Sequence, residues 1–345
     1  MLVNGQWSEN WQPVQAKDEK GGFVRQQSSF RNAISEEPDS LFIPQQDRYH
    51  LYVALICPWA NRTLIARALK GLEHVVPVSI VEPFLGDQGW AFGDFPGATA
   101  DEINQVDYIH ELYTKVTPTY TGRATVPVLW DKQRHTIVNN ESADIVRIFN
   151  SGFGHLANND IDLYPERHQN AIDEINDYLY PRLNNGVYRA GFATTQQAYN
   201  EAVQQVFEAL DWLNNHLNNR TYLVSEQLTE ADIRAFVTLI RFEIAYFGLF
   251  RCNLKHLWQY EHVWAYLERL YAIPEFNKTV NFNHIKQGYY SIKALNPSGI
   301  VPVGSPCELV EGDITNATAF YLGDTRIGMM ALTLHPKKQA DNTKT

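Results

Sequence analysis

The sequence predicts an α/β domain followed by an all-α domain. Between residues 49 and 81, an apolar run, a stretch with apolar residues at helical spacing and a second apolar run follow one another. This succession is the pattern of a βαβ unit. After about residue 155 the apolar positions keep the helical spacing to about residue 290, as expected for packed helices.

The first strand, helix and second strand are each visible in the sequence. Leu51 to Ile56 has the length and composition of a buried strand, and Val75 to Val81 is the second such run. From Asn61 onward the apolar residues repeat at the period of one helix face. Pro58 suits the first position of that helix, because proline has no N–H to lose there. We therefore expect Cys57 at the N-cap.

A hairpin and a further helix follow the βαβ unit. Val126 to Trp130 and Thr136 to Val138 are predicted strands around a polar turn, and a helix starts at Ser142. From the residues alone Ser142 is interpreted as an N-cap. The order β-α-β, connection, β-β-α is that of a thioredoxin-like domain.

The remaining segments complete the predicted organisation. Residues 1–48 are polar and are expected to form an arm laid over the α/β domain, which spans 49–154 with a long insertion at 82–124. The all-α domain spans 155–298, and an extension at 299–345 forms a strand pair or a partner surface, with a disordered end. In "LTEADIRAF", Thr229 and Asp232 predict a capping box at a helix start.

Composition excludes several classes of function. The 345 residues are 44% hydrophobic and 20% charged, with a formal net charge of −10. That charge disfavours nucleic-acid and anionic-membrane partners. We find no membrane-spanning run or signal peptide. The three cysteines are too few for a disulfide framework or a zinc site. Glycosylation patterns begin at Asn61 and Asn140, close to Cys57 and Ser142 in the sequence, and a glycan there would obstruct a site at these residues. We therefore expect a cytoplasmic protein.

Cys57 is predicted to be a reactive cysteine without a resolving partner. At a helix N-terminus, backbone N–H groups and the helix dipole favour a thiolate, so we expect a pKa below the ordinary value. Ala60 occupies the fourth position, where a Cys-x-x-Cys motif has its second thiol. Such a cysteine forms a mixed disulfide and waits for an external thiol.

Seven segments recur in the order of one known family, from about residue 21 to 303. They are "GGFVRQQSSFR", "CPWANRT", the insertion with "GDQGW", "TVPVLWD", "NNESADI", "NNGVYRAGFA" and "QGYYSI". Together with the predicted fold they resemble the cytosolic glutathione transferases and, within them, the Xi class, the glutathionyl-hydroquinone reductases. The roughly 40 residues after "GIVPVG" depart from the compact form of that family.

The resemblance implies roles for individual residues. Cys57 would be the nucleophile, Tyr188 the proton donor to the departing ring carbon, and Tyr246 and Tyr289 hydrogen-bond donors to the thiolate. Pro127 would follow a cis peptide bond. The implied glutathione contacts are Trp90, Arg123, Ala124, Thr125, Val126, Glu141 and Ser142.

The resemblance also implies the reaction and the partners. Glutathione-dependent reduction of glutathionyl-hydroquinones would proceed through a mixed disulfide between Cys57 and glutathione, released by a second glutathione. Glutathione is then a co-substrate, with no bound cofactor and no metal, and the protein is expected to be a homodimer. The alternatives are an Omega-type thiol transferase or dehydroascorbate reductase, a conjugating transferase, and a non-catalytic scaffold with the same fold.

Overall fold

The computed structural model describes residues 1–8, 16–158, 160–303, 319–322 and 325–329. The chain divides into two compact units, Met1–Val301 and Pro302–Thr345, and each is described by itself. Across the described part of the chain, no helix combines the length and the apolar character that crossing a bilayer requires.

Two short hairpins begin the first unit. They pair β1 (Leu2–Val3) with β2 (Gln6–Trp7), and β3 (Ala16–Lys17) with β4 (Phe23–Val24). The chain after β4 then runs along the α/β domain. The Asn32 N–H donates to the Val138 carbonyl at 3.0 Å, and the Asn140 N–H donates to the Phe30 carbonyl at 3.1 Å. These bonds fix the segment just after β4 against the domain.

The α/β part is built on a four-stranded sheet. In chain order its elements are β5 (Tyr49–Val53), α1 (Pro58–Leu69), β6 (Val78–Ile80), β7 (Leu85–Gly86), β8 (Gly89–Trp90), α2 (Ile109–Val116), β9 (Val128–Asp131), β10 (Thr136–Asn139) and α3 (Ser142–Ser151). The sheet order is β10-β9-β5-β6, with β5 and β6 parallel and the other pairs antiparallel. This order confirms the thioredoxin-like fold.

The junction of β5 and α1 follows the sequence prediction, with one shift. Cys57 is the N-cap with extended backbone (φ −73°, ψ 118°), and Pro58 is the first helical residue. The strand ends at Val53, before the predicted Ile56, because the Cys57 N–H donates to the Ala54 carbonyl at 3.0 Å and closes a turn. Cys57 therefore lies at the end of a short turn between strand β5, which ends at Val53, and helix α1, which begins at Pro58.

The second half of the first unit is helical to residue 290, as predicted. Its helices are α4 (Gln169–Leu179), α5 (Gly186–Gly191), α6 (Gln196–His216), α7 (Glu230–Leu239), α8 (Glu261–Tyr271), α9 (Pro274–Asn277) and α10 (Phe282–Tyr290). The helix that begins in "LTEADIRAF" is short: α7 ends at Leu239, and a wider π-type turn follows at Phe242–Tyr246. Such turns often occur at functional sites. Helix α1 packs against both α3 and α7, which joins the two halves.

The second unit contains a strand pair within its described residues. β11 (Ala319–Leu322) and β12 (Thr325–Met329) run antiparallel. This agrees with the strand-pair interpretation of the C-terminal extension. The disorder predicted for the chain end lies outside the described residues.

The predicted capping box at α7 is present and is extended by two further contacts. The buried Asp232 carboxylate accepts the Thr229 N–H at 2.9 Å and the Thr229 hydroxyl at 3.1 Å. It also accepts the Leu223 N–H at 2.9 Å and the Tyr266 hydroxyl at 2.7 Å. One carboxylate therefore holds the start of α7, the preceding loop and α8 together.

Asp232→Ala should lower the free energy of unfolding by about 3–5 kcal/mol, because several buried donors lose their acceptor at once. Tyr266→Phe removes one hydroxyl from the same carboxylate and should cost about 1.5 kcal/mol. Urea unfolding followed by circular dichroism measures both. Equal losses in the two variants would contradict a shared role for Asp232 in several contacts.

Candidate active site

One pocket collects residues from the arm, the α/β half and the helical half. The N-termini of α1 and α3, the hairpin of β7 and β8, and the chain after β4 all contribute residues to it. The lining residues are Phe23, Arg25, Gln26, Gln27, Ser28, Ile56, Cys57, Pro58, Trp59, Leu85, Trp90, Tyr120, Arg123, Thr125, Val126, Pro127, Asn140, Glu141, Ser142, Tyr180, Tyr188, Phe192, Tyr289 and Ile292. Of the predicted site residues, Ala124 and Tyr246 are not among them.

Cys57 lies half-buried in this pocket, and its sulfur donates to the Val126 carbonyl at 3.6 Å. Burial raises the pKa of the Cys57 thiol, while the Ala60 N–H, the Arg241 charge, the Trp59 N–H and the Arg25 charge act in the opposite direction. The expectation of a lowered pKa is therefore wrong in this structure. The helix N-terminus favours the thiolate as expected, but desolvation by the pocket outweighs it.

The segment before Pro127 is fixed by a single tyrosine. The Val126–Pro127 peptide bond is cis, as the resemblance implied. The Tyr113 hydroxyl donates to the Thr125 carbonyl at 2.9 Å and accepts the Thr125 N–H at 3.1 Å. The Asn140 side chain donates to the same hydroxyl at 3.0 Å. This network places Val126, with its carbonyl, beside Cys57.

The start of α3 supplies a carboxylate to the pocket. Glu141, not Ser142, is the N-cap: its side chain accepts the Ala143 N–H at 3.2 Å, and Ser142 is the first helical residue. The interpretation of Ser142 as N-cap was therefore wrong by one residue. The Ser28 hydroxyl donates to the other carboxylate oxygen of Glu141 at 2.9 Å. The arm thereby fixes the orientation of this carboxylate.

Two guanidinium groups line the same pocket. The Arg25 guanidinium carbon lies 4.6 Å from the centre of the Trp59 ring and 5.0 Å from that of Tyr188, and its Nε donates to the Asn185 side chain at 3.0 Å. One terminal nitrogen of Arg25 is buried without a hydrogen-bond partner. Burial lowers the pKa of Arg123 to about 10, which leaves it positively charged at neutral pH.

Three tyrosine hydroxyls form a chain at the helical wall of the pocket. Tyr188 and Tyr289 are hydrogen-bonded at 2.6 Å, and Tyr289 and Tyr246 at 2.9 Å. Tyr188 and Tyr289 line the pocket, whereas Tyr246 is fully buried behind Tyr289. Burial raises the pKa of all three, so each hydroxyl keeps its proton at neutral pH.

The approach of α10 to Cys57 requires a glycine. A Cβ atom at Gly288 would lie 2.5 Å from the Pro83 carbonyl oxygen and 2.6 Å from the Ile56 side chain. The absence of a side chain at this position lets α10 pack directly on the turn that carries Cys57. Tyr289, the next residue, is thereby brought into the same pocket.

Several pocket residues were not predicted as such. Arg25, Gln26 and Ser28 belong to the segment "GGFVRQQSSFR", which carried part of the family resemblance without assigned roles. Trp59, an aromatic residue beside the first helical turn where packing is the more common role, also lines the pocket. Among the described residues, no cluster of three or more His, Cys, Asp or Glu side chains is arranged to hold a metal ion.

Alkylation of Cys57 should show a midpoint above about 8.5, the ordinary value for a cysteine, because burial raises the pKa of this thiol. The thiolate fraction, and with it the alkylation rate, then rises with pH across an alkaline range. Iodoacetamide labelling followed by peptide mass spectrometry measures Cys57 separately from Cys252 and Cys307. A midpoint below 8.5 would show that the N–H groups and guanidinium charges outweigh desolvation.

Comparison with known proteins agrees with this geometry. Residues 56–151 match the family model of the glutathione S-transferase N-terminal domain, and residues 196–269 match that of the C-terminal domain. The glutathionyl-hydroquinone reductase YqjG of Escherichia coli (strain K12) is 47% identical over 311 residues, covering 88% of this chain and 94% of that protein. The glutathionyl-hydroquinone reductase PcpF of Sphingobium chlorophenolicum is 46% identical over 305 residues, covering 88% and 96%.

Solved structures give the same result. The crystal structure of the Xi glutathione-S-transferase from Phanerochaete chrysosporium shares 47% identity at a TM-score of 0.83, and the match covers 86% of this chain and 97% of that one. The glutathione-bound structure of YqjG from Escherichia coli K-12 shares 44% identity at a TM-score of 0.80, covering 88% and 95%. The chain therefore belongs to the glutathione transferases and, within them, to the Xi class that its motifs predicted.

Proposed function

We propose that the protein reduces glutathionyl-hydroquinones to hydroquinones with glutathione as co-substrate. The observation that carries the proposal is the pairing in one pocket of the Cys57 nucleophile with a chain of protonated tyrosines that begins at Tyr188. Such a pocket can attack a sulfur atom and protonate the group that leaves it. The relatives named above as reductases of this substrate support the same conclusion.

Charge complementarity supports glutathione as the bound thiol. Glutathione carries two carboxylates and one ammonium group at neutral pH. The charged side chains in the described lining are the guanidinium groups of Arg25 and Arg123 and the carboxylate of Glu141. Glu141 would receive the ammonium of the γ-glutamyl end beside Ser142, and the guanidinium groups would pair with carboxylates. The N-terminus of α3 adds backbone N–H groups, which also bind carboxylates.

The remaining predicted contacts would complete the glutathione site. Trp90 and Thr125 line the pocket, and the Val126 carbonyl already accepts a hydrogen bond from Cys57. Ala124, outside the described lining, would contribute to this segment through its backbone. We assign these contacts to the peptide part of glutathione.

In the first chemical step, the Cys57 thiolate attacks the glutathione sulfur of the substrate. A sulfur–sulfur bond forms, the bond between sulfur and the ring carbon breaks, and the electron pair leaves with the ring carbon. Tyr188 donates a proton to that carbon, which completes the hydroquinone. The products of this step are the hydroquinone and a mixed disulfide of Cys57 with glutathione.

In the second step, the Tyr188 phenolate left by the first step takes back a proton from the thiol of a second glutathione. The resulting glutathione thiolate attacks the mixed disulfide and releases oxidised glutathione. The Cys57 thiolate is regenerated, so the substrate gains two electrons and two glutathione sulfurs are oxidised. Ala60 stands where a resolving cysteine would otherwise be, which accounts for the use of an external thiol. The residues that carry these steps require neither a metal nor a bound organic cofactor.

The three tyrosines predicted to be catalytic lie at different places relative to the pocket. Tyr188 and Tyr289 face the pocket, where Tyr289 can donate to a thiolate or to the Tyr188 oxygen. Tyr246 acts through Tyr289, since it is buried behind it. Its predicted contact with the thiolate is therefore replaced in our proposal by an indirect role.

We also propose a cytoplasmic homodimer with the domain boundaries given by the sequence. Among the described residues, Cys57 and Cys252 are in no disulfide, which agrees with a reducing compartment. Exposed apolar side chains on the helical half, with Leu254 66% and Trp258 45% exposed, support a partner surface there. The division between residues 154 and 155 is supported by the change from strands to helices after α3.

Incubation with a glutathionyl-hydroquinone in the absence of free glutathione should leave one glutathione on Cys57. The second step cannot proceed without an external thiol, so the mixed disulfide accumulates. Intact-protein and peptide mass spectrometry detect the mass of the adduct and its position. Cys57→Ser should show no adduct and no turnover; substantial residual turnover would place the nucleophile elsewhere.

Tyr188→Phe should depress turnover of glutathionyl-hydroquinones by ~10²–10⁴-fold, the range typical of a positioned acid. The variant keeps the ring and its packing and removes only the hydroxyl. Reduction of a small glutathione mixed disulfide by the same variant should change little, because a leaving thiolate needs no proton on carbon. Steady-state kinetics with the two substrates make the comparison.

Tyr290→Phe is the matched control for this experiment. Tyr290 follows Tyr289 on α10 but is not among the described pocket residues. Its loss of a hydroxyl should leave both activities close to wild type. Equal losses on the two substrates in Tyr188→Phe would show that Tyr188 serves binding or the thiolate, and would exclude it as the acid.

A further inference from the structure

Arg241 is a buried cation attached to the turn that precedes Cys57. It lies between α7 and the π-type turn, with 0% of its surface exposed. Its Nε donates to the Ile56 carbonyl at 2.9 Å, and its Nη2 donates to the Leu55 carbonyl at 3.0 Å. Its Nη1 donates to the Val237 carbonyl at 2.8 Å and to the Asn61 side chain at 3.0 Å.

All four of these acceptors are neutral oxygens. In the described part of the chain, no carboxylate lies within ion-pair distance of Arg241. A buried charge without an opposite charge is costly, and carbonyl dipoles offset that cost only in part. By contrast, the buried guanidinium of Arg48, which lies at the sheet, forms a 2.6 Å ion pair with Asp131. Arg241 therefore resembles half of an ion pair.

The group that becomes negative beside Arg241 during the proposed reaction is the Cys57 thiolate. Cys57 directly follows the two residues whose carbonyls Arg241 binds. The Arg241 charge lowers the pKa of the Cys57 thiol, and Arg25 does so to a smaller extent. Among the described residues, Arg123 and Tyr188 also interact electrostatically with this thiol, and Glu141 and Tyr289 line the same pocket.

We infer that Arg241 is a positioning residue that fixes the Cys57 turn and supplies the permanent counter-charge of the Cys57 thiolate. The inference rests on the proposed function in one respect, that Cys57 is the nucleophile. Arg25 and Arg123 line the pocket and can be neutralised by ligand carboxylates. Arg241 lies outside the described lining, so its charge continues to act on Cys57 when glutathione is bound.

Two substitutions separate the charge of Arg241 from its hydrogen bonds. Arg241→Met removes both. Arg241→Lys keeps the positive charge but loses the planar guanidinium group, and with it the geometry of these hydrogen bonds. The pH midpoint of Cys57 alkylation should rise in Arg241→Met, with the rate at pH 7 falling about tenfold for each unit of the rise. In Arg241→Lys the midpoint should stay close to wild type, while reductase kcat falls because the turn is less well fixed.

Arg67→Met is the matched control. Arg67 lies on α1, the helix that follows Cys57, and like Arg241 it donates to backbone carbonyls, those of Glu73 and Val76. It is ten residues from Cys57 along the helix, a rise of about 15 Å. This variant should show the wild-type midpoint. A wild-type midpoint in folded Arg241→Met, or an equal rise in Arg67→Met, would overturn the inference.

A second pair of variants applies if Arg241→Met does not fold. Asn61→Asp places a carboxylate against the Nη1 atom of Arg241 and neutralises its charge without removing it. Asn61→Ala removes the same amide without adding charge. Asn61→Asp should raise the alkylation midpoint above that of Asn61→Ala; equal midpoints would overturn the inference.

The alkylation measurement tests this inference independently of the proposed function. Alkylation with iodoacetamide reports the charge state of Cys57 whether or not glutathionyl-hydroquinones are substrates. A shifted midpoint without reductase activity in the wild type would support the counter-charge and reject the function. Normal reductase activity, with no shift of the alkylation midpoint in either pair of variants, would support the function and reject the counter-charge.

Discussion

The buried guanidinium of Arg241 is the contact on which the geometry of the site depends. It holds the carbonyls of Leu55 and Ile56 and the side chain of Asn61, so it fixes both sides of Cys57 from the helical half of the molecule. Asn61 in turn donates to Thr279 at 2.8 Å, next to α9. The proposed nucleophile, Cys57, belongs to the thioredoxin-like part, but its position depends on residues that lie more than 180 positions later in the sequence.

Enclosure of the pocket has opposite consequences for the proposed acid, Tyr188, and the proposed nucleophile, Cys57. Burial raises the pKa of Tyr188 and of Cys57 alike. For an acid this is useful, because the proton stays on the hydroxyl until the ring carbon leaves. For a nucleophile it is a cost, because the thiolate is the reactive form. The N–H groups at the start of α1 and the guanidinium of Arg241 lower the pKa of Cys57 and reduce that cost, although burial outweighs them.

Features set by neighbouring residues were predictable from the sequence. Pro58 after Cys57 defined the start of α1, and Thr229 with Asp232 defined the start of α7. The four strands and the extent of the helical half follow from the spacing of apolar residues. The strand before Cys57 ended three residues early because a turn hydrogen bond competes with strand pairing, and that bond depends on local geometry that apolar spacing does not encode.

Features set by distant contacts were not predictable in the same way. The pKa of Cys57 depends on how completely the arm and helical half enclose it, and the helix N-terminus alone gave the wrong direction. Family motifs located Tyr246 near the site, but its burial behind Tyr289 follows from the π-type turn after Arg241. Arg25 reaches the pocket because the arm returns across it, and a polar segment gives no sign of where it will lie.

The proposed role of Tyr188 as the acid requires one direction for the hydrogen bonds of the tyrosine chain. Each hydroxyl has one proton, so Tyr188 cannot donate to Tyr289 and to a ring carbon at the same time. Tyr246 is fully buried, and its hydroxyl lies 2.9 Å from Tyr289. If Tyr246 donates to Tyr289 and Tyr289 donates to Tyr188, the Tyr188 proton is left for the pocket. The same direction stabilises the Tyr188 oxygen after it has lost its proton, since a donor already points at it. In the proposed mechanism, the buried Tyr246 thus supports the acid, Tyr188, at the other end of the chain through Tyr289.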